Sequence, residues 1–144
     1  MKKYIFIAIT CLFICSAASL KNSGDMQIEI SGLKNNSGNI KLSMFNSESG
    51  YPEDGGRAFK IAKAEIKDKK AIIVFRDIPY GKYAIAFFHD ENDNDKIDFH
   101  FFGMPKEAYG ASNDAKGFMG PPSFEDAAFS FDQNNTRVIM KARN

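Results

Sequence analysis

The feature that most constrains this chain is a two-residue alternation of apolar and polar side chains that returns in short runs bounded by turns. Met26, Ile28 and Ile30 alternate with Gln27, Glu29 and Ser31, and Ile40, Leu42 and Met44 alternate with Asn39, Lys41 and Ser43. A period of two fits a pleated strand with one face on a core and one in water, not a helical stripe. Gly32 ends the first run and Asn35, Asn36, Ser37 and Gly38 form a turn cluster, so the two runs read as a hairpin. Residues 58–66 carry Phe59, Ile61 and Ala64, a spacing that also suits a helical turn; we read them as a strand. Residues 71–75 are an apolar, β-branched run that leads to the turn Pro79-Tyr80-Gly81. Beyond it Tyr83, Ile85 and Phe87 face one way and Ala84, Ala86 and Phe88 the other, and apolar residues on both faces mark a central strand. Residues 127–131 and 136–141 flank Asp132-Gln133-Asn134-Asn135 as a further hairpin. About seven short strands joined by turns predict an all-β fold, an antiparallel β-sandwich whose two sheets bury a shared inner face.

A chain of 144 residues has room for one such domain and not for a second core. Its 19 Lys and Arg against 18 Asp and Glu remove the usual electrostatic case for DNA, RNA or an anionic bilayer as partner. Lys2 and Lys3, an apolar run over 4–15 and Ser16-Ala17-Ala18 have the layout of an export signal over residues 1–18, leaving a single domain over 19–144. That apolar run is shorter than the ~20 residues a membrane span needs, so no span is expected after cleavage. Cys15 would suit a lipoprotein, but the bulky Ile14 before it does not. The product is therefore expected to be exported, periplasmic or extracellular, and a monomer. Cys11 and Cys15 leave with the signal, which excludes a disulfide, a zinc thiolate or a cysteine nucleophile.

Residues 90–126 hold no convincing strand, and a connection this long is expected to be functional or disordered. Phe99, Phe101, Phe102, Tyr109, Phe118 and Phe124 are too many aromatics for a solvated linker. We read the segment as a compact, ordered lobe over one end of the sandwich. It begins with Asp90-Glu91-Asn92-Asp93-Asn94-Asp95-Lys96-Ile97-Asp98. Oxygen-bearing Asp90, Asn92 and Asn94, the carbonyl of Lys96 and then Asp98 follow the spacing of a calcium loop, in which alternate residues of a tight curl aim oxygens at one point. Two positions depart from it. Asp95 stands where Gly normally supplies a left-handed turn, and Phe101 stands where a bidentate Glu closes the site. The closing carboxylate would come from Glu107, Asp114, Glu125 or Asp126. Five acidic side chains in nine residues repel one another, and Lys96 alone does not balance them, which favours a bound cation over a plain solvated turn.

Several segments together resemble the bacterial secreted proteins grouped as domain of unknown function 2141. They are Ile28-Glu29-Ile30-Ser31-Gly32-Leu33, Pro79-Tyr80-Gly81-Lys82-Tyr83-Ala84, Phe88-His89-Asp90-Glu91-Asn92, Gly103-Met104-Pro105-Lys106-Glu107 and residues 120–127. The resemblance implies a transthyretin-like or immunoglobulin-like sandwich behind a signal peptide, with no established activity. In that family's pattern Asp93 and Asp95 stand where Gly is usual.

For catalysis the chain offers only His89 and His100 as imidazoles, which lack a third zinc partner, and none of the usual hydrolase motifs. Glu107 and Glu125 are the carboxylates that a glycan hydrolase could use. Ser123 and Asp126 fit a capping box. Tyr109, Phe118 and Phe124 are candidate contacts for a glycan or an envelope protein, or else form the lobe's own small core. The expectation is a non-catalytic binding or structural module of the cell envelope with calcium in its Asp/Asn loop. A carboxylate-dependent glycan hydrolase and a purely structural protein without metal are the competing readings.

Overall fold

The computed structural model describes residues 22–144; the expected export signal lies outside them. Eight strands form two sheets. β1 (Ser23–Ser31) sits between β4 (Ala71–Pro79) and β8 (Arg137–Lys141) in a three-stranded sheet. The second sheet runs β3 (Lys60–Glu65), β2 (Asn39–Phe45), β5 (Gly81–Asp90) and β6 (Tyr109–Ala111), with β7 (Phe129–Phe131) also on β5. The predicted alternation is what closes the two sheets together. Met26, Ile28 and Ile30 of β1, Ile40, Leu42 and Met44 of β2, and Ile85 and Phe87 of β5 are all buried in one core between them.

Two expected hairpins are not hairpins. β1 and β2 lie in different sheets, because the connection between them arches over the end of the sandwich and buries Leu33 in the core. Two alternating runs look alike whether they pair edge to edge or face each other across a core, so local sequence does not separate the cases. β7 and β8 are likewise split: β7 runs antiparallel on β5, while β8 joins β1 in parallel, Val138 beside Ile28 and Met140 beside Ile30. The sandwich thus has one parallel pair where all were expected antiparallel. The turn that carries the chain across is tied by Asp132, whose Oδ1 accepts from the backbone N–H of Asn134 and Asn135 at 2.8 and 3.0 Å.

The segment 90–126 also departs from expectation. It contains β6 and, from its end, the short helix α1 (Phe124–Ala127), capped by Ser123, whose Oγ accepts from the Asp126 N–H at 3.2 Å. Its second half does not sit over an end of the sandwich but packs on the outer face of the five-stranded sheet. There Phe124, Ala127, Ala111 and Ala115 meet Phe45 and Ala84 in a second, smaller core. This is why β5 is apolar on both faces. Between β6 and β7 the edge of β5 has a gap, and one side chain fills it. Ser112 Oγ accepts from Ile85 N–H at 2.9 Å and donates to the Ala127 carbonyl at 2.5 Å.

Candidate functional site

The acidic turn begins where β5 ends. Its position is fixed by Gly38, in the turn just before β2, at φ +62°, where an added Cβ would lie 1.8 Å from the Asp90 carbonyl oxygen. Only glycine permits that approach. Asp90 is fully buried and organises the curl: its Oδ1 accepts from Asn94 N–H at 3.0 Å and its Oδ2 from Asp95 N–H at 2.9 Å. Asp93 and Asp95 take left-handed backbone, φ 56° and 63°, at the two positions where the resemblance places glycine. Asp tolerates that region better than most residues because its short side chain finds local partners.

The structure sorts the predicted ligands into two groups. Asp90 stands with Asp93 and Asp95, one carboxylate oxygen from each lying within 4.8 Å of the others. Asn92 and Asn94 both direct their amides at Asp98 Oδ2, at 2.7 and 3.3 Å, and Lys96 N–H donates to Asn94 Oδ1 at 2.9 Å. Calcium-loop spacing omitted Asp93 and Asp95. The signal that finds them is their glycine-like placement, which turns the chain back so that residues 90, 93 and 95 share a side.

Of the four candidate closing carboxylates, Glu107 is the one at the turn. Buried, it accepts Glu91 N–H on Oε1 and Asp98 N–H on Oε2, both at 2.9 Å, and so ties the two ends of the acidic segment together. Asp114 instead accepts from Lys141 N–H, Glu125 pairs with Lys82, and Asp126 bonds Ser123 in the helix cap. Lys82 is the second residue of β5 and Glu91 follows its last, a separation of roughly 30 Å at ~3.3 Å per residue. Glu107 and Glu125 are therefore at opposite ends of a strand, too far apart for the paired-carboxylate chemistry of a glycan hydrolase, which works across about 5 to 9.5 Å.

The turn's charge is balanced by cations that lie far off in sequence. Lys41 on β2 and Lys63 on β3 are direct cross-strand partners, a like-charge pair that would be unfavourable by itself. Above them Lys41 donates to Asp95 and stands 3.9 Å from Asp90 Oδ2, while Lys63 lies 2.7 Å from Asp93 Oδ1. Lys96 alone does not balance the five acidic side chains, and these two lysines on the sheet supply part of the missing positive charge. The Lys63 hydrogen bond holds the Asp93 carboxyl below the usual aspartate range, and the same bond raises Lys63. Asn39 also donates to Asp93, at 2.7 Å, but its own Oδ1 is buried without a partner. Next to it His89 is fully buried, with Nε2 2.6 Å from the Ser37 carbonyl oxygen and Nδ1 without a hydrogen bond, 3.9 Å from Glu91 Oε1.

The aromatic candidates divide as well. Phe124 is buried, its ring edge-to-face with Tyr51 at 5.8 Å, so it offers no face to a ligand and belongs to the second core. Tyr109 is 37% exposed and Phe118 95% exposed. Among the described residues no helix is long and apolar enough to cross a membrane.

Two facing sheets, a carboxylate-rich turn at the end of a central strand and a lobe packed on one outer face define a β-sandwich module. The chain belongs to the bacterial family described as "Uncharacterized protein conserved in bacteria" (DUF2141), whose profile matches residues 28–139. No curated protein and no solved structure matches it.

Proposed function

We propose that this protein is an exported, non-catalytic module of the bacterial cell envelope whose acidic turn takes up calcium. The observation that carries this reading is the convergence of Asp90, Asp93 and Asp95 beside Asn39, whose buried amide oxygen has no partner. Each ligand offered there is an oxygen, the donor type that a hard dication selects. Lys41 and Lys63 already neutralise these carboxylates, so calcium enters by exchange with the two ammonium groups. Exchange makes the affinity weak, in the range of about 10⁻⁴ to 10⁻³ M usual for extracellular modules. The ion would replace two long, mobile side chains by one rigid centre and preorganise the turn as a contact surface for a glycan or an envelope protein.

Thermal unfolding in calcium and in chelator tests this. At about ten times the dissociation constant a bound ion adds ~1.4 kcal/mol, a rise in midpoint of roughly 5 °C for a domain of this size. Asp93→Asn with Asp95→Asn should remove the rise, and Lys41→Gln, which takes away a competing cation, should enlarge it. Equal midpoints with and without calcium, in the parent and in Lys41→Gln alike, would defeat the proposal.

A further inference from the structure

The residues that follow the acidic turn form a second projection of opposite character. Residues 98–106 make a narrow hairpin: Lys106 N–H donates to the Asp98 carbonyl at 2.8 Å and Phe99 bridges Pro105. At its tip His100 N–H donates to the Met104 carbonyl at 2.7 Å and Gly103 N–H to the His100 carbonyl at 2.9 Å, with Gly103 in left-handed backbone at φ 78°. Phe101 and Phe102 thus occupy the two central positions of a hydrogen-bonded turn. They are 98% and 89% exposed, they touch edge to face at 5.4 Å, and Met104 beside them is 69% exposed. Backbone bonds order this tip while its side chains find no core, so burial within this chain does not account for the residue choice.

We propose that this hairpin inserts Phe101 and Phe102 into the headgroup boundary of an anionic phospholipid bilayer, with Lys34 and Lys106 on the phosphates. The charge arrangement selects this occupant. The groove at the base of the tip is lined by Lys34, His100, Phe102, Met104, Pro105, Lys106 and Asn144, and no acidic side chain lines it. Neither lysine has an ion-pair partner among the described residues. Aromatic rings inward with long cationic side chains one layer outward is the order that a membrane interface favours. Two rings set at 87° to each other on a convex tip suit a deformable medium better than a preformed protein socket. Of the acid at the hairpin's base, Asp93 and Asp95 are paired with Lys63 and Lys41, and Asp98 Oδ2 is turned to the amides of Asn92 and Asn94. The near-zero net charge of the whole chain conceals this local pairing of apolar tip and basic rim. The proposal needs no calcium and stands apart from the function proposed above.

The chain has no Trp, so one introduced indole reports on one place. In the full-length protein with chelator present, Phe101→Trp should show emission shifted to shorter wavelength on adding vesicles containing phosphatidylglycerol. Acyl-chain-brominated lipid in those vesicles should quench it. Phe118→Trp, at the other exposed apolar turn, should do neither. Lys34→Gln with Lys106→Gln should weaken the response of Phe101→Trp roughly thirtyfold, because each basic residue near an anionic surface contributes about one kcal/mol. Emission that does not move with vesicles would overturn the proposal. So would equal quenching of Phe118→Trp, equal binding to purely zwitterionic vesicles, or a shift that depends on protein concentration without lipid, which would assign the tip to a second copy.

Discussion

The two halves of the lobe are ordered by different forces. Residues 90–106 are held by polar contacts: Asp90 and Glu107 collect backbone N–H groups, and Lys41 and Lys63 reach across from the sheet. Residues 107–128 are held by burial, with Phe124, Ala127 and Ala115 against Phe45 and Ala84. A polar scaffold fixes direction and leaves side chains near solvent, where they can exchange partners. An apolar one excludes water and gives stability without exposed chemistry. The candidate site lies in the first half for that reason, and the second half anchors it to the sheet.

The comparison is tested most strongly by Phe124→Ala. Removing a buried ring should cost about 3 kcal/mol of unfolding free energy in a denaturant titration, with amide exchange at Asn94 and Asp95 left close to that of the parent. If the acidic turn loosens equally, the halves are one unit. Glu107→Gln comes next. It turns an NH₂ toward one of two backbone donors and should cost about 1 to 3 kcal/mol, with faster exchange at Glu91 and Asp98 before any global change. Tyr51→Phe should lie within about 1 kcal/mol of the parent, on the stabilising side. The hydroxyl is buried without a partner, and burial, with the Asp126 charge adding, pushes its pKa up to about 12.

The smallest effect is electrostatic. Asp93 titrates below its unfolded value, so its contribution is present above about pH 4 and is lost as pH falls through the lower folded value. Lys63 titrates above its unfolded value, so its contribution is complete below about pH 10 and is lost as pH rises through the higher folded value. Asp93→Asn should flatten the acid limb of a stability profile and lower the neutral plateau by the contribution removed. An unchanged acid limb would show that the Lys63 contact is without weight.

How much of this could be read from the sequence follows from range. β1, β2, β4 and β5 announce themselves because alternation is a local property, and the two apolar faces of β5 mark it as the central strand it is, between β2 and β6. β6 is three residues, Tyr109-Gly110-Ala111, too short and too glycine-bearing to form a pattern. The parallel partnership of β1 with β8 joins residues more than a hundred apart, and no periodicity records it. In the site, the oxygen-rich turn was visible, as was the special backbone at Asp95. The lysines that neutralise it were not, because they come from strands whose register only the sheet defines. Phe124 and Phe118 look equivalent in a list of loop aromatics; the capped turn of α1 buries the first, and nothing covers the second.

The closure of β5 by two three-residue strands and the Ser112 hydroxyl is a patchwork seam. Each patch hides only a few main-chain donors and acceptors. Loss of any one would bare a short stretch of ready ladder beside an otherwise intact sheet. Damage there would surface first as sticking between molecules, through strand-to-strand templating, and only afterwards as melting.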